Sequence, residues 1–252
     1  MPNMPNMNDK VGAKGQLDIG VAISAPFKDK QWLKKCLLMG LMMLIPVAGA
    51  LNLSGWMRAI AERRIAGGAD AEVLPEANLS YIGGGWRMFL AYLPLMSLLL
   101  VVLIGGVAAA VAAATSKQGA SEQIMIGVFV VTYGVIILLV IAMSVIGPAI
   151  TFLHVVESET WASMQIGRIW ETMRLGGVQY LLFFVAMMVA GVVGQLGAFA
   201  CYIGMFVTIP LGQVMAGAAI AEYARLVKSP SPTFPVEGGT GGSSGAPFPV
   251  KS

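Results

Sequence analysis

Four long stretches without a charged residue dominate the hydropathy pattern of the chain. The longest, Leu175–Ala221, contains 47 residues without Asp, Glu, Lys or Arg, and as a helix it would extend about 70 Å at roughly 1.5 Å per residue. A bilayer core is about 30 Å thick, so this run predicts two antiparallel transmembrane helices that turn near residues 197–204. The other runs are Cys36–Met57 (22 residues), Met88–Ser116 (29) and Gln123–Val156 (34).

These runs together cover 132 of the 252 residues, and composition agrees with them, since 57% of residues are hydrophobic and only 12% are charged. No soluble domain of this size can bury so much apolar sequence. The pattern therefore predicts an all-α, polytopic helical membrane protein.

The placement of the 16 Lys and Arg residues indicates how the first apolar run crosses the bilayer. A single crossing would leave seven of them outside and nine inside. If the run instead folds back at Pro46, 15 gather on the cytoplasmic side and only Lys117 lies outside. Basic residues favour cytoplasmic loops, and Pro46 cannot continue a regular helix without losing a hydrogen bond. We therefore expect the second arrangement.

The resulting prediction is a fold of about six helices. A broken or re-entrant first hairpin covers Trp32–Ala66, with Pro46 as its hinge. Gly147 and Pro148 are expected to kink or end the second full span, because proline removes a backbone donor there. The four full spans are predicted at about residues 86–113, 124–146, 178–197 and 201–223.

Three further segments flank or interrupt this helical domain of residues 28–228. Residues 1–27 are polar, without the apolar core of a signal peptide, and we expect them in the cytoplasm. Thr160–Arg174 places apolar side chains at helical spacing, which predicts an interfacial amphipathic helix. Residues 229–252 contain five Gly, five Pro and five Ser, a composition typical of a disordered or partner-bound tail.

The order of several residues resembles that of an uncharacterised bacterial multi-pass membrane family, the domain of unknown function 4013. The second half is similar to the membrane regions of some glycerophosphodiester phosphodiesterases, through Pro148, Pro210 and the terminal Tyr223-x-Arg225-Leu226. The likeness covers about residues 25–228 and implies a six-helix integral membrane fold with no established activity. The residues that carry it in the first half are Pro26-Phe27, Asp29, Trp32, Gly40, Ile45-Pro46, Gly55, Arg58, Arg63, Gly67-Gly68, Leu74-Pro75-Glu76, Gly84-Gly85 and Tyr92-Leu93-Pro94.

Candidate catalytic and metal-binding groups are scarce. His154 is the only histidine, and Glu157 lies one helical turn beyond it, but this pair has no further ligands nearby in the sequence. The chain contains no Walker loop, no HExxH and no Cys-x-x-Cys motif. We therefore expect no enzymatic activity, no cofactor, no metal and no nucleic-acid partner.

Small residues four apart are the most abundant signal in the predicted spans, and they let helix backbones approach closely. They would pack the chain's own bundle, or bind another subunit if they faced outward. Gln195 and Gln213 flank the last hairpin and are predicted to make intramembrane polar contacts with each other. The predicted packing positions are Gly106, Ala110, Ala190, Gly194, Ala198, Gly212 and Ala216.

Two functions stay open. The first is a non-enzymatic scaffold or accessory subunit in the bacterial inner (cytoplasmic) membrane, with both termini cytoplasmic and with the lipid bilayer and other membrane subunits as partners. The second is a small-solute channel or permease, because a broken hairpin is typical of folds that place unwound backbone at a substrate site. A continuous polar cavity lined by Asn52, Ser54, Gln195 or Gln213 would favour transport, and a filled bundle would favour scaffolding.

Overall fold

The computed structural model describes residues 17–67, 71–115, 122–200 and 202–228, and it contains only helices and connecting turns within these ranges. The predicted tail 229–252 and Lys117 lie outside the described residues. Three short 3-10 turns precede α2, α4 and α6 at Ala25–Lys28, Leu79–Tyr81 and Ala162–Met164. The described α-helices are α1 (Ile19–Ser24), α2 (Trp32–Met42), α3 (Ala48–Ala66), α4 (Ile82–Thr115), α5 (Glu122–Glu157), α6 (Ile166–Gly176), α7 (Val178–Ala200) and α8 (Tyr202–Lys228).

Four of these helices, α4, α5, α7 and α8, are long and apolar enough to cross a membrane. They form two antiparallel hairpins, α4 with α5 and α7 with α8. The predicted all-α, polytopic membrane fold is confirmed, and the chain is a membrane protein by the length and composition of its helices.

The first apolar run is broken at Pro46, as predicted. α2 ends at Met42 and α3 begins at Ala48, and the Ala48 amide donates to the Pro46 carbonyl at 2.7 Å. Val47 takes a positive φ of 64°, which lets the chain reverse within a few residues. A side chain at Gly49 would lie 2.3 Å from the Met42 carbonyl oxygen, so only glycine fits inside this turn.

The two arms of this first hairpin clasp α8. α2 runs antiparallel to α8 and α3 runs parallel to it, so α8 packs between α2 and α3. Backbone contacts are close on both sides, with Gly40 against Phe206, Gly217 against Met57 and Arg225 donating to the Arg64 carbonyl at 2.8 Å.

One end of the bundle collects most of the described basic residues, and we call it the basic end. It carries the start of α2, the end of α3 and the end of α8, and both ends of the described chain lie there. The Leu17 amide donates to Gln179 Oε1 at 2.7 Å, near the start of α7. Its basic side chains include Lys28, Lys35, Arg58, Arg64 and Arg225.

The hydrophobic core is concentrated in the half of the bundle next to the basic end. Residues 147–155 of α5 are buried without interruption, whereas residues 125–146 are mostly exposed. Residues 17–27, predicted to be a polar segment outside the helical domain, instead include α1 and pack into this core through Leu17, Ala22 and Ala25. The helical domain therefore begins earlier than predicted, because these few apolar residues suffice to anchor a short helix.

α6 is the predicted amphipathic helix, and it lies on the surface at the basic end. Its apolar face divides between two environments. Ile169 packs into the protein core, while Ile166 and Trp170 are 76% and 65% exposed. The exposed pair gives α6 an outward apolar edge of the kind that interfacial helices insert into a lipid surface.

Candidate functional site

A cavity of about 300 Å³ opens where the two transmembrane hairpins separate. Neither α7 nor α8 packs extensively against α4, so the hairpins meet near the core and diverge toward the far end. Met57 of α3, Met88 of α4 and Thr151 of α5 close the cavity on the side of the core. A second cavity of about 250 Å³ adjoins it and shares Thr151 and Met187 with it.

The wall contributed by α7 and α8 consists largely of small residues. Ala190, Gly194, Gly212 and Ala216 line it, together with Gly191. A side chain at Gly212 would lie 2.4 Å from the Ala190 carbonyl oxygen, whereas one at Gly191 would meet nothing within 4 Å. The first four residues therefore bring α7 and α8 together, and Gly191 leaves open space that faces the cavity.

The remaining predicted packing residues have different environments. Gly106 faces Thr132 across the α4–α5 hairpin, where an added side chain would lie 2.3 Å from the threonine. Ala110 is half-buried in the same hairpin, and Ala198 on α7 is exposed. The structure thus assigns most of these positions to contacts within the chain and leaves Ala198 facing outward.

Gln195 and Gln213 line the same cavity, but no hydrogen bond joins their side chains. The antiparallel register of α7 and α8 explains this, since Gly197 lies against Gly204 and Ala190 against Gly212. Gln195 is therefore opposite Val207, and about six residues, roughly 9 Å along α8, separate it from Gln213. The amides share a cavity at two different depths.

Asn52 and Ser54, the other polar residues of the proposed solute path, do not line this cavity. Asn52 is fully buried in α3, where its amide donates to the Asn78 carbonyl at 2.8 Å and its oxygen accepts from the Tyr81 amide at 3.2 Å. Ser54 donates to the Ala50 carbonyl of its own helix. Both side chains therefore have structural partners.

Pro148 does not end α5, which continues as one helix to Glu157. Proline removes one helical hydrogen bond and its ring crowds the preceding turn. Tyrosine hydroxyls from the neighbouring spans donate to carbonyls at this point, Tyr92 to Gly147 at 2.7 Å and Tyr180 to Val145. These tertiary hydrogen bonds anchor α5 beside Pro148, although the carbonyl that Pro148 leaves without a helical donor is that of Ser144.

His154 is buried at the basic end of α5 and both of its ring nitrogens have partners. Nδ1 lies 3.0 Å from the Glu159 carbonyl oxygen and Nε2 lies 3.3 Å from an Arg58 nitrogen. Since a carbonyl only accepts, Nδ1 carries the proton and Nε2 accepts from the guanidinium. Glu157 pairs with Arg168 rather than with His154, and no group of three metal-ligating side chains occurs within the described ranges.

A buried ion pair at the base of the first hairpin was not predicted from the sequence. Lys35 Nζ lies 3.0 Å from Asp29 Oδ2, and both side chains are less than a tenth exposed. Lys35 also donates to the Leu74 carbonyl at 2.6 Å. Burial opposes ionisation of Asp29, but hydrogen bonds from the Gln31 amide, Lys35 and the Leu74 amide hold its pKa below its ordinary value.

The model of a family described as protein of unknown function (DUF4013) matches residues 38–203, about two thirds of the chain. The matched region contains most of the first hairpin and helices α4–α7, including the α5 residues that line the two cavities. No curated protein and no solved structure matches the chain.

Proposed function

The chain belongs to the DUF4013 family, and we propose that it is a non-enzymatic scaffold or accessory subunit that receives a transmembrane helix of another membrane protein. The proposed docking site is the cleft between the α4–α5 hairpin and the α7–α8 hairpin. The observation that carries this proposal is the small-residue wall of the cavity, in which Gly191 leaves open space beside Gly194 and Gly212.

Small residues matter in lipid because the hydrophobic effect does not drive helices together there. Association depends on close backbone packing and on hydrogen bonds. A wall of glycine and alanine lets a further helix approach α7 and α8 closely, and Gln195 and Gln213 stand beside it as hydrogen-bonding groups. A scaffold needs an outward surface of small residues to bind another helix, whereas a surface that only contacts lipid has no need of small residues.

We further propose that the protein resides in a bacterial inner membrane with both termini in the cytoplasm. The basic end supports this orientation, because lysines and arginines accumulate on the cytoplasmic side of such membranes. The packing of α2 and α3 on both sides of α8 supports a re-entrant first hairpin, although the turn residues Leu44, Ile45 and Val47 are 61%, 47% and 73% exposed.

The absence of catalysis is part of the proposal. Its support is that the single histidine is held by Arg58 and the Glu159 carbonyl, and that Glu157 is paired with Arg168. The similarity of the second half to phosphodiesterase membrane regions stays a prediction. A small-solute channel is the second candidate, favoured by the two amides in one membrane cavity, although Thr151, Met57 and Met88 close that cavity toward the core.

The test is site-specific photo-cross-linking in native membranes. A benzophenone amino acid replaces Ala198, which is exposed on α7, and in a matched chain it replaces Leu196, a 53% exposed residue on another face of the same helix. We expect a protein adduct of one defined mass at position 198 and only lipid adducts at position 196.

A second variant makes this result specific to the cavity. Gly191→Leu fills the open space in the wall and should abolish the protein adduct at position 198. Gly105→Leu is the control, because Gly105 also has nothing within 4 Å of an added side chain but lies on α4 outside the cavity. Lipid adducts alone at position 198, or a protein adduct that survives Gly191→Leu, would refute the docking site.

A further inference from the structure

The outward side of the first hairpin is an apolar surface that the rest of the described chain leaves uncovered. No polar side chain occurs from Leu37 to Leu51, and the exposed leucines of α2 recur every four residues, which places them on one side of the helix. We call this surface the outer face of the hairpin. It consists of Leu33, Leu37 and Leu41 on α2 and of Leu44, Ile45 and Val47 in the turn, which are between 47% and 73% exposed.

The turn at Pro46 supplies most of its own backbone hydrogen bonds. Polar backbone groups in hydrocarbon need such internal partners, because no water is available there. Pro46 has no amide hydrogen, and the amides around it donate to carbonyls of the turn or of the adjacent helix end. The donors are Met43, Leu44, Ile45, Ala48 and Gly49, at distances of 2.7–3.1 Å. Lipid chains can therefore surround the turn without a further protein to pair its backbone.

Each arm of the hairpin has the length of one leaflet. Leu44 follows Lys34 by ten residues, which is about 15 Å at the rise of a helix. On the return arm, Arg58 follows Val47 by eleven residues, or about 16 Å. Half of a bilayer core is also about 15 Å. With the charged residues at the membrane surface, the turn therefore reaches the middle of the bilayer, and the outer face extends through one leaflet.

The base of the outer face carries two lysines without a carboxylate partner. Lys28 and Lys35 form ion pairs with carboxylates of the same region. Lys30 and Lys34, by contrast, are exposed and form no ion pair within the described ranges. A basic group at this level attracts the phosphate of an anionic lipid, and the apolar surface directly below it suits an acyl chain.

We propose that the outer face binds an anionic phospholipid of the leaflet at the basic end. The headgroup lies at Lys30 and Lys34, and an acyl chain follows the leucines of α2 toward the turn. This inference rests on the re-entrant hairpin of the proposed function. It assigns lipid to this side of the protein and leaves the cleft between the transmembrane hairpins to the partner helix.

Photo-cross-linking in native membranes tests whether lipid covers the outer face. A benzophenone amino acid replaces Leu41 on α2 or Val47 in the turn, both of which are more than half exposed. We expect phospholipid adducts at both positions. A protein adduct of defined mass at either position overturns the inference. The adduct at Ala198 reports on the cleft alone, so the docking site stands or falls separately.

Spin labels test the depth of the hairpin. A nitroxide is attached to a cysteine at Lys30, Leu37 or Val47 of the purified full chain, in which Cys36→Ala and Cys201→Ala remove the native thiols. In phospholipid vesicles, collisions with oxygen should increase relative to those with a water-soluble nickel complex from position 30 through 37 to 47. A water-like ratio at position 47 overturns both this inference and the re-entrant hairpin.

Brominated lipids test the headgroup. A bimane label at Leu37 is quenched by brominated phosphatidylglycerol or by brominated phosphatidylcholine, each titrated into vesicles of unbrominated phosphatidylcholine. One lysine near a membrane surface changes the affinity for anionic lipid about fivefold. The mole fraction that gives half-maximal quenching should therefore be about fivefold lower, or less, for brominated phosphatidylglycerol. Equal mole fractions for the two lipids overturn the headgroup assignment.

Two variants assign this preference to the lysines. The double variant Lys30→Gln, Lys34→Gln should be quenched equally by the two brominated lipids. Arg174→Gln is the control, because Arg174 is an exposed basic residue on α6, which does not pack extensively against α2, and it should keep the preference. A preference that persists in the double variant, or that disappears in Arg174→Gln, shows that the two lysines do not hold the headgroup.

Discussion

Two glycines in the first turn of α4 should respond in opposite ways to the same substitution. Gly85 packs directly on the backbone of α3, where an added Cβ would lie 1.7 Å from the Leu51 carbonyl oxygen. Gly83, two residues earlier, has nothing within 4 Å of the same position. We expect Gly85→Ala to destabilise the protein strongly and Gly83→Ala to leave it unchanged or slightly more stable.

The magnitude follows from the geometry of the α3–α4 contact. The atom that a new methyl group would strike belongs to backbone, and a side chain at Gly55 on the facing helix would likewise strike the Tyr81 carbonyl at 1.9 Å. The two helices must therefore separate. Overpacking of this kind costs about 1–3 kcal/mol, while alanine in an unconstrained helical site gains up to about 1 kcal/mol over glycine. The two variants should differ by roughly 1–4 kcal/mol in unfolding free energy.

The assay is equilibrium unfolding of both purified variants and the parent chain in the same mild detergent, followed by circular dichroism. A difference of 1–4 kcal/mol corresponds to about a 5- to 700-fold change in the ratio of folded to unfolded protein. If Gly85→Ala unfolds at the same denaturant concentration as Gly83→Ala, then α3 and α4 do not approach as closely as described, and the reasoning fails.

Three further predictions concern the first hairpin and its orientation. Pro46→Leu should permit one continuous helix and lower the accumulation of the protein in membranes on an immunoblot, whereas Pro94→Leu, inside an existing helix, should not; equal accumulation of the two would contradict the hinge. Asp29→Asn removes the buried carboxylate that faces Lys35, which keeps only the Leu74 carbonyl and the exposed Glu76 at 3.6 Å, and it should destabilise the chain by about 3 kcal/mol at pH 7. The folded pKa of Asp29 is depressed, so the ion pair stabilises the parent chain fully above the unfolded pKa of about 3.9, and this stabilisation is lost as the pH falls through the folded pKa. Thermal unfolding of the parent chain measured from pH 7 to pH 3 should show that loss. If Asp29→Asn loses the same stability over this pH range, Asp29 is not its source. A cysteine placed at Lys117 should react with an impermeant thiol reagent added to intact cells and one placed at Gly67 should not, and labelling at Gly67 would refute the re-entrant hairpin.

Features that depend on local chemistry could be predicted from the sequence. The charge-free runs were sufficient to place the four long apolar helices, because length and hydropathy alone decide whether a helix can span a bilayer. The break at Pro46 was predictable for a similar reason, since proline acts on its own helix. The glycine and alanine positions on α7 and α8 were recognisable by their spacing of four residues.

Features that depend on how distant segments meet could not be predicted in the same way. The cavity joins Met57, Met88 and Thr151 from three helices, and no local pattern marks them as neighbours. Pro148 shows the opposite case. A local rule predicted that the helix kinks or ends there, but α5 continues, and Tyr92 and Tyr180 from other helices hydrogen-bond neighbouring carbonyls. Lys35 was indistinguishable by sequence from the surface lysines around Trp32, and only the fold of the 71–78 segment buries it with Asp29.

The position of α8 between the arms of the first hairpin has a consequence for biosynthesis. α3 ends at Ala66 and α8 begins at Tyr202, so about 135 residues are synthesised between the hairpin and the helix that completes its packing. At about 5–20 residues per second, synthesis of these residues takes about 7–27 s, and during this time the side of α2 and α3 that packs against α8 has no native contact partner. The α8-facing side of the amino-terminal hairpin therefore leaves the ribosome early but reaches its native packing last, and any factor that shields this side must act during that interval.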